Sequence, residues 1–123
     1  MSGYSEPNAV VRREHFAAAC GGDATTEYGK FRSFQKMKLK AVHAVVTTAG
    51  TAAGHKLDVF HGTTSVGTIS LGTSAAGVTA SSATLNRAVA ALEQVSVKTG
   101  ADADGIADVI YEFEVDHDAV RTK

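Results

Sequence analysis

The sequence predicts a mainly β protein: an antiparallel β-sandwich or jelly-roll-like body over residues 36–123, behind an N-terminal arm, 1–35, with room for a short helix. Three observations predict it. Short runs of period-two alternation recur after residue 35, glycines fall between or at the ends of these runs, and the last run, IADVIYEFEVD at 106–116, alternates almost without a break. Short strands at this spacing, separated by turn signals, build antiparallel sandwiches.

In the arm, Ser5 is placed to cap a helix over 5–20, Pro7 fits an early helical position, and Gly21-Gly22 would end it. Val10, Arg13, Phe16, Ala17 and Cys20 would then share one face. An extended arm is the alternative, and periodicity does not separate the two. Five of the eight aromatic residues (Tyr4, Phe16, Tyr28, Phe31, Phe34) lie before Gln35.

The body opens with KMKLKAVHAVVTT at 36–48. Lys36, Lys38 and Lys40 alternate with apolar residues, and the run turns apolar on both faces around Val42–Val46, as a strand does on entering a covered sheet. Further strands are expected at 56–61, 65–71, 84–90, 94–99 and 106–116. Residues 83–94 could instead form a helix, since ALEQ favours one. The repeat GTTSV-GTISL-GTSAA-G has an odd period, which cannot keep one face of a strand, so it reads as strand broken by bulges and turns. In the last strand Val109, Tyr111, Phe113 and Val115 share one face, with Asp108, Glu112, Glu114 and Asp116 on the other. Opposite charges stabilise when they face each other across a ladder. The first and last body strands are therefore expected to pair antiparallel, setting Lys36, Lys38 and Lys40 against Glu112, Glu114 and Asp116.

Composition narrows the function classes. The apolar residues are mostly small, 21 Ala and 14 Val against 5 Leu, 3 Ile and no Trp. Such a core removes little area from water, at roughly 25 cal/mol per Å², so a partner or a homo-oligomer is expected to add stability. The net charge of −1 calls for neither nucleic acid nor an anionic membrane, yet residues 1–40 carry seven bases and four acids while 41–123 carry five and nine. A single cysteine, Cys20, excludes an internal disulfide and reads as a small buried side chain. No signal-peptide core opens the chain. The uncharged stretch from Val59 to Asn86 is too rich in Gly, Thr and Ser to span a bilayer, so a soluble protein is expected.

Catalytic and metal motifs are weak. Gly62-Thr-Thr-Ser65-Val-Gly67 lacks the first glycine of a nucleophile elbow, and Gly72 and Gly77 are followed by Val78 where a phosphate loop needs lysine. Asp102-Ala-Asp104-Gly105 holds part of a calcium loop but reads more simply as an Asp-Gly hairpin turn. His43, His55 and His61 would need neighbouring strands to bring them together before they could hold zinc. Lys30, Arg32, Lys36, Lys38 and Lys40 interleave with Phe31 and Phe34, a pattern that can bind single-stranded nucleic acid, but the acidic last strand stands ready to neutralise the lysines. No enzyme, cofactor, metal, nucleic acid or membrane is expected.

Two stretches, KFRSFQKMKLKAVHAVVTTAGTAAGHKLDVFHGTTSVGTISLGTSAAG and LEQVSVKTGADADGIADVIYEFEV, together resemble capsid decoration (cement) proteins of tailed bacteriophages, over roughly residues 28–116. The resemblance implies a virion structural protein made in the host cytoplasm and attached to the outer capsid surface. Its partners would be the major capsid protein and itself, as a homotrimer. Within the arm, Tyr28, Phe31, Arg32 and Phe34 are of the types enriched at interface hot spots, and they either bind the shell or pack back onto the sandwich. In the first case Phe31→Ala or Phe34→Ala would abolish attachment and leave the body folded. The alternative function is a phage tail or fibre component, or another recognition sandwich.

Overall fold

A computed structural model describes the backbone of residues 10–116 and the side chains of 18–115. Among the described residues nine strands, β1 (Val10–Gly21), β2 (Glu27–Arg32), β3 (Met37–Thr48), β4 (Lys56–His61), β5 (Thr64–Ser70), β6 (Thr79–Ser81), β7 (Arg87–Val89), β8 (Gln94–Thr99) and β9 (Ile106–Asp116), form two sheets. One runs β1-β9-β3-β6, with β7 also pairing β3, and the other runs β2-β8-β4-β5. All the ladders are antiparallel. The pairs β1–β9, β2–β8, β3–β6 and β4–β5 nest like one long hairpin rolled so that alternate ladders fall in opposite sheets. That is a jelly roll, with β7 as a short addition, and the predicted sandwich is the observed fold. The described residues contain no helix, and so none long and apolar enough to cross a membrane.

The alternation of β9 decides the packing. Ala107, Val109, Tyr111, Phe113 and Val115 point inward and are buried; Ile106, Asp108, Ile110, Glu112 and Glu114 face out and are half-buried. Leu57, Val59, Ile69, Val95 and Val97 meet them from the other sheet. Tyr111 crosses the core to donate its hydroxyl to the carbonyl of Gly29, at 2.7 Å. That carbonyl is free because β2 bulges between Tyr28 and Phe31, where Gly29 takes a φ of 64° that glycine reaches without strain. Burial raises the Tyr111 pKa.

The helix expected over 5–20 is corrected for the described part: residues 10–21 form a strand paired with β9 along its length, and 5–9 lie outside the described residues. Sheet hydrogen bonds over twelve residues outweigh a weak helical pattern. The boundary expected at residue 35 falls between β2 and β3, so the segment read as an arm supplies the outer strand of each sheet. The expected strand at 84–90 shrinks to β7, and the helical alternative for 83–94 does not form. Asp102–Gly105 is not a hairpin turn either. It carries the chain between sheets, because β8 pairs with β2 and β4 whereas β9 pairs with β1 and β3.

The first and last body strands do pair antiparallel. Their charge match is narrower than expected, because a bulge between Leu39 and Ala41 shifts the register. Lys40 Nζ reaches Glu114 Oε2 at 3.9 Å and also donates to Asn86, whereas Glu112 meets His43. Lys38 stands opposite Glu114 in the register, Lys36 precedes the strand, and Asp116 pairs through its backbone with Val10 of β1. The bulge also accounts for the doubly apolar stretch: Ala41 and Val42 are both buried next to each other, after which Val45 lies half-buried on the outer face.

Cys20 is buried and directs its thiol to the Ala18 carbonyl at 3.4 Å. Burial, with a smaller contribution from the Asp108 carboxylate, pushes its pKa up to about 12. The thiolate is the reactive species. Native protein is therefore expected to resist iodoacetamide at about pH 8 over a period that fully alkylates the urea-unfolded chain, read by intact mass; equal rates would contradict this burial.

Candidate functional site

The loops 33–36, 62–63 and 90–93 gather at one end of the sandwich, where β1 enters at Val10 and β9 leaves at Asp116. The Leu92 N–H donates to the Ser33 carbonyl at 2.7 Å, which ties two of these loops together. Phe34, which follows the anchored Ser33, and Leu92, itself anchored, are 80% and 60% exposed there. Leu92 also has a φ of 69°. A non-glycine residue in that region is strained by ~1–3 kcal/mol, and such strain clusters at functional sites.

The four expected binding residues divide. Phe31 turns inward, its ring centroid 6.0 Å from Tyr111 and 5.5 Å from Phe113, and is half-buried as part of the core. Tyr28 is half-buried too, donating its hydroxyl to the Gly21 carbonyl at 2.9 Å. Arg32 braces the end by donating to the Leu92 carbonyl at 2.6 Å and to Gln94 Oε1 at 3.4 Å. Among the described residues Phe34 alone of the aromatics projects from the surface. Because Phe31 packs here, Phe31→Ala is expected to cost stability, which Phe34→Ala is not.

Beside Phe34 and Leu92 opens a cleft of about 640 Å³ lined by residues that include Glu27, Arg32, His61, Thr63, Arg87 and Glu93. His61 comes from β4 and Arg87 from β7, on opposite sheets, and they meet across the mouth of the sandwich. Arg87 Nε donates to His61 Nδ1 at 2.9 Å, and His61 Nε2 lies 2.8 Å from Glu93 Oε1. Because guanidinium can only donate, Nδ1 is the acceptor and the imidazole proton sits on Nε2, facing the carboxylate. Glu93 also accepts from the Ala90 N–H at 2.9 Å. That bond, then the one to His61, lowers its pKa. On the cleft's other wall Glu27 Oε2 accepts from Ser96 Oγ at 2.5 Å and Gln94 Nε2 at 3.2 Å.

The three histidines do not converge. His43 lies on the outer face of the β1-β9-β3-β6 sheet, its Nδ1 2.7 Å from Ser81 Oγ and its Nε2 2.8 Å from Glu112 Oε1. This chain links β6, β3 and β9. His55 is at the far end, 2% exposed and packed against Gly50 and Gly105, with neither ring nitrogen hydrogen-bonded among the described residues. There Asp104 accepts from the Thr51 hydroxyl and from the Thr51 N–H at 3.2 Å, which lowers its pKa. The described residues hold no cluster of three or more His, Cys, Asp or Glu able to hold a metal ion.

The two lowered carboxyls set a pH dependence. A group with a depressed folded pKa contributes stability that is complete above its ordinary value, here 3.8 for Asp104 and 4.5 for Glu93, and lost as pH falls through the folded value. The urea midpoint is expected to hold above pH 4.5 and drop below it. Asp104→Asn should start lower and lose less on acidification; identical acid profiles for variant and wild type would contradict the Thr51–Asp104 lock.

No known family model and no curated protein matches this chain.

Proposed function

We propose that this chain is a decoration protein of a tailed-bacteriophage head, attached to the outer capsid surface and bridging neighbouring major capsid subunits, itself as a homotrimer. The observation that carries the reading is the exposed Phe34–Leu92 tip at one end of the jelly roll. Exposed aromatic and aliphatic anchors beside a braced arginine have the character of an interface centre. The small-residue core supports the same reading, since a domain that buries modest area gains stability from an assembly. Jelly rolls recur in viral capsids and in lectins, so the fold alone does not decide between uses.

A second reading, a tail or fibre recognition module, is favoured by the polar cleft beside Phe34. A sugar platform is less well supplied with rings: Tyr111 and Phe113 are buried, and the Lys98 ammonium sits 5.8 Å over the Phe60 ring. Quantitative mass spectrometry of purified particles separates these uses. Copies near parity with the major shell subunit support decoration. A handful of copies supports a tail or fibre position, and none removes both.

A further inference from the structure

Arg87 and Arg32 both line the cleft, but they use their donors differently. Arg32 uses its two Nη groups on the Leu92 carbonyl and Gln94. Arg87 uses Nε alone, on His61 Nδ1, and among the described residues no group bonds its Nη1 or Nη2. The His61–Glu93 chain behind it fixes the guanidinium plane at a β-strand position, with Thr63 and Thr64 at the rim of the same cleft. A held guanidinium with both terminal amino groups free presents the fork that receives a carboxylate through two parallel N–H···O bonds. Among the lining residues Arg32 and Arg87 balance Glu27 and Glu93, and both carboxylates already accept hydrogen bonds from the protein, so the open fork of Arg87 is the group left to meet an approaching anion.

We infer that this cleft is a socket for an acidic side chain, Asp or Glu, projecting from the partner protein on which the Phe34–Leu92 tip docks, with Arg87 as its charge partner. The inference rests on the docking role proposed above. It adds the chemistry of the partner: a carboxylate flanked by apolar surface. Phe34 and Leu92 supply the desolvating rim, Arg87 the specific bond, and His61 positions Arg87 without touching the ligand. A Lys at 87 would keep the charge but lose both the bond to His61 Nδ1 in its present geometry and the bidentate fork.

The test needs no particle. Full-length protein is titrated with the α-N-methylamides of N-acetyl-glutamate and N-acetyl-glutamine, in which the side chain alone differs in charge, and with inorganic phosphate, while the Arg87 Nε–H and the Thr63 and Thr64 amides are followed by NMR. The glutamate derivative is expected to shift these signals saturably in the millimolar range, and the glutamine derivative, which is neutral, to leave them in place. Arg87→Gln should abolish the response. Arg87→Lys, the variant less disturbing to the fold, should weaken it tenfold or more with the remaining backbone spectrum unchanged. An equal response to the neutral amide, or an undiminished response in Arg87→Lys, overturns the inference, as does phosphate binding ten times tighter than the carboxylate. Failure here together with near-parity copies in particles would remove the socket and leave decoration standing. Saturable binding by a protein absent from particles would do the reverse.

Discussion

Phe34→Ala is expected to lower occupancy on particles at least 30-fold while leaving the melting temperature within about 2 °C of wild type. Truncating a hot-spot anchor removes ~2 kcal/mol or more of binding, which is roughly a 30-fold change. The side chain is 80% exposed and contributes little to the folded body. Its neighbour in sequence, Phe31, is the control. Its ring packs on Tyr111 and Phe113, so Phe31→Ala opens a defect between the sheets and should cost about 2 kcal/mol, or ~8 °C in melting temperature for a domain of this size. Binding measurements paired with thermal melts separate the two roles. Undiminished binding by Phe34→Ala would end the claim that this tip docks, and an unchanged melt for Phe31→Ala would contradict its place in the core.

The second large effect falls at the opposite end. Gly21, the last residue of β1, has a φ of 128°, and a Cβ there would overlap the Gly105 carbonyl oxygen, a backbone atom that cannot swing aside. Gly77 also has a positive φ, 92°, but a Cβ on it would meet nothing within 4 Å. Gly77→Ala therefore reports backbone strain alone, ~1 kcal/mol. Gly21→Ala adds an overlap of the kind that costs ~1–3 kcal/mol or more in a packed site. A melting temperature ~10 °C below wild type is expected for Gly21→Ala, against ~4 °C for Gly77→Ala. Equal losses would show that the crossing of β1 under the 103–106 segment yields more readily than its geometry requires.

The strands that the sequence made legible are those whose environment is a two-sided ladder with one covered face. DVIYEFEV and KMKLK carry that period outright, and β4, β5 and β8 follow it closely enough to be found within a residue of their ends. The outer strands were harder to read for a physical reason. In VVRREHFAAACG the apolar spacing also suits a helix, and Ser5, Pro7 and Gly21 supply plausible helix ends; only the pairing with β9, a hundred residues away, decides it. Strand β2 hides behind the bulge at Gly29, which breaks the alternation between Tyr28 and Phe31, and the three-residue β6 and β7 are too short to show any period.

The candidate surface was half legible. An aromatic in a basic, polar segment pointed to Phe34, but nothing local distinguished it from Phe31, whose inward turn depends on a register set by β8. Leu92 sits in ALEQ, which reads as helix, and its exposure follows from a left-handed turn invisible in composition. His61, Arg87 and Glu93 come from three separate segments and meet only because the rolled hairpin stacks β4 beneath β7. No spacing rule would have joined them.

A reconstruction of the particle by electron cryomicroscopy tests the central claim most directly, because it reads presence, copy number and orientation together. The account predicts trimeric jelly-roll density outside the shell, with the Phe34–Leu92 end against the major capsid subunits and the Asp104 loops facing solvent. Density with the Asp104 end against the shell would contradict the docking surface, and a shell without this density would contradict decoration itself.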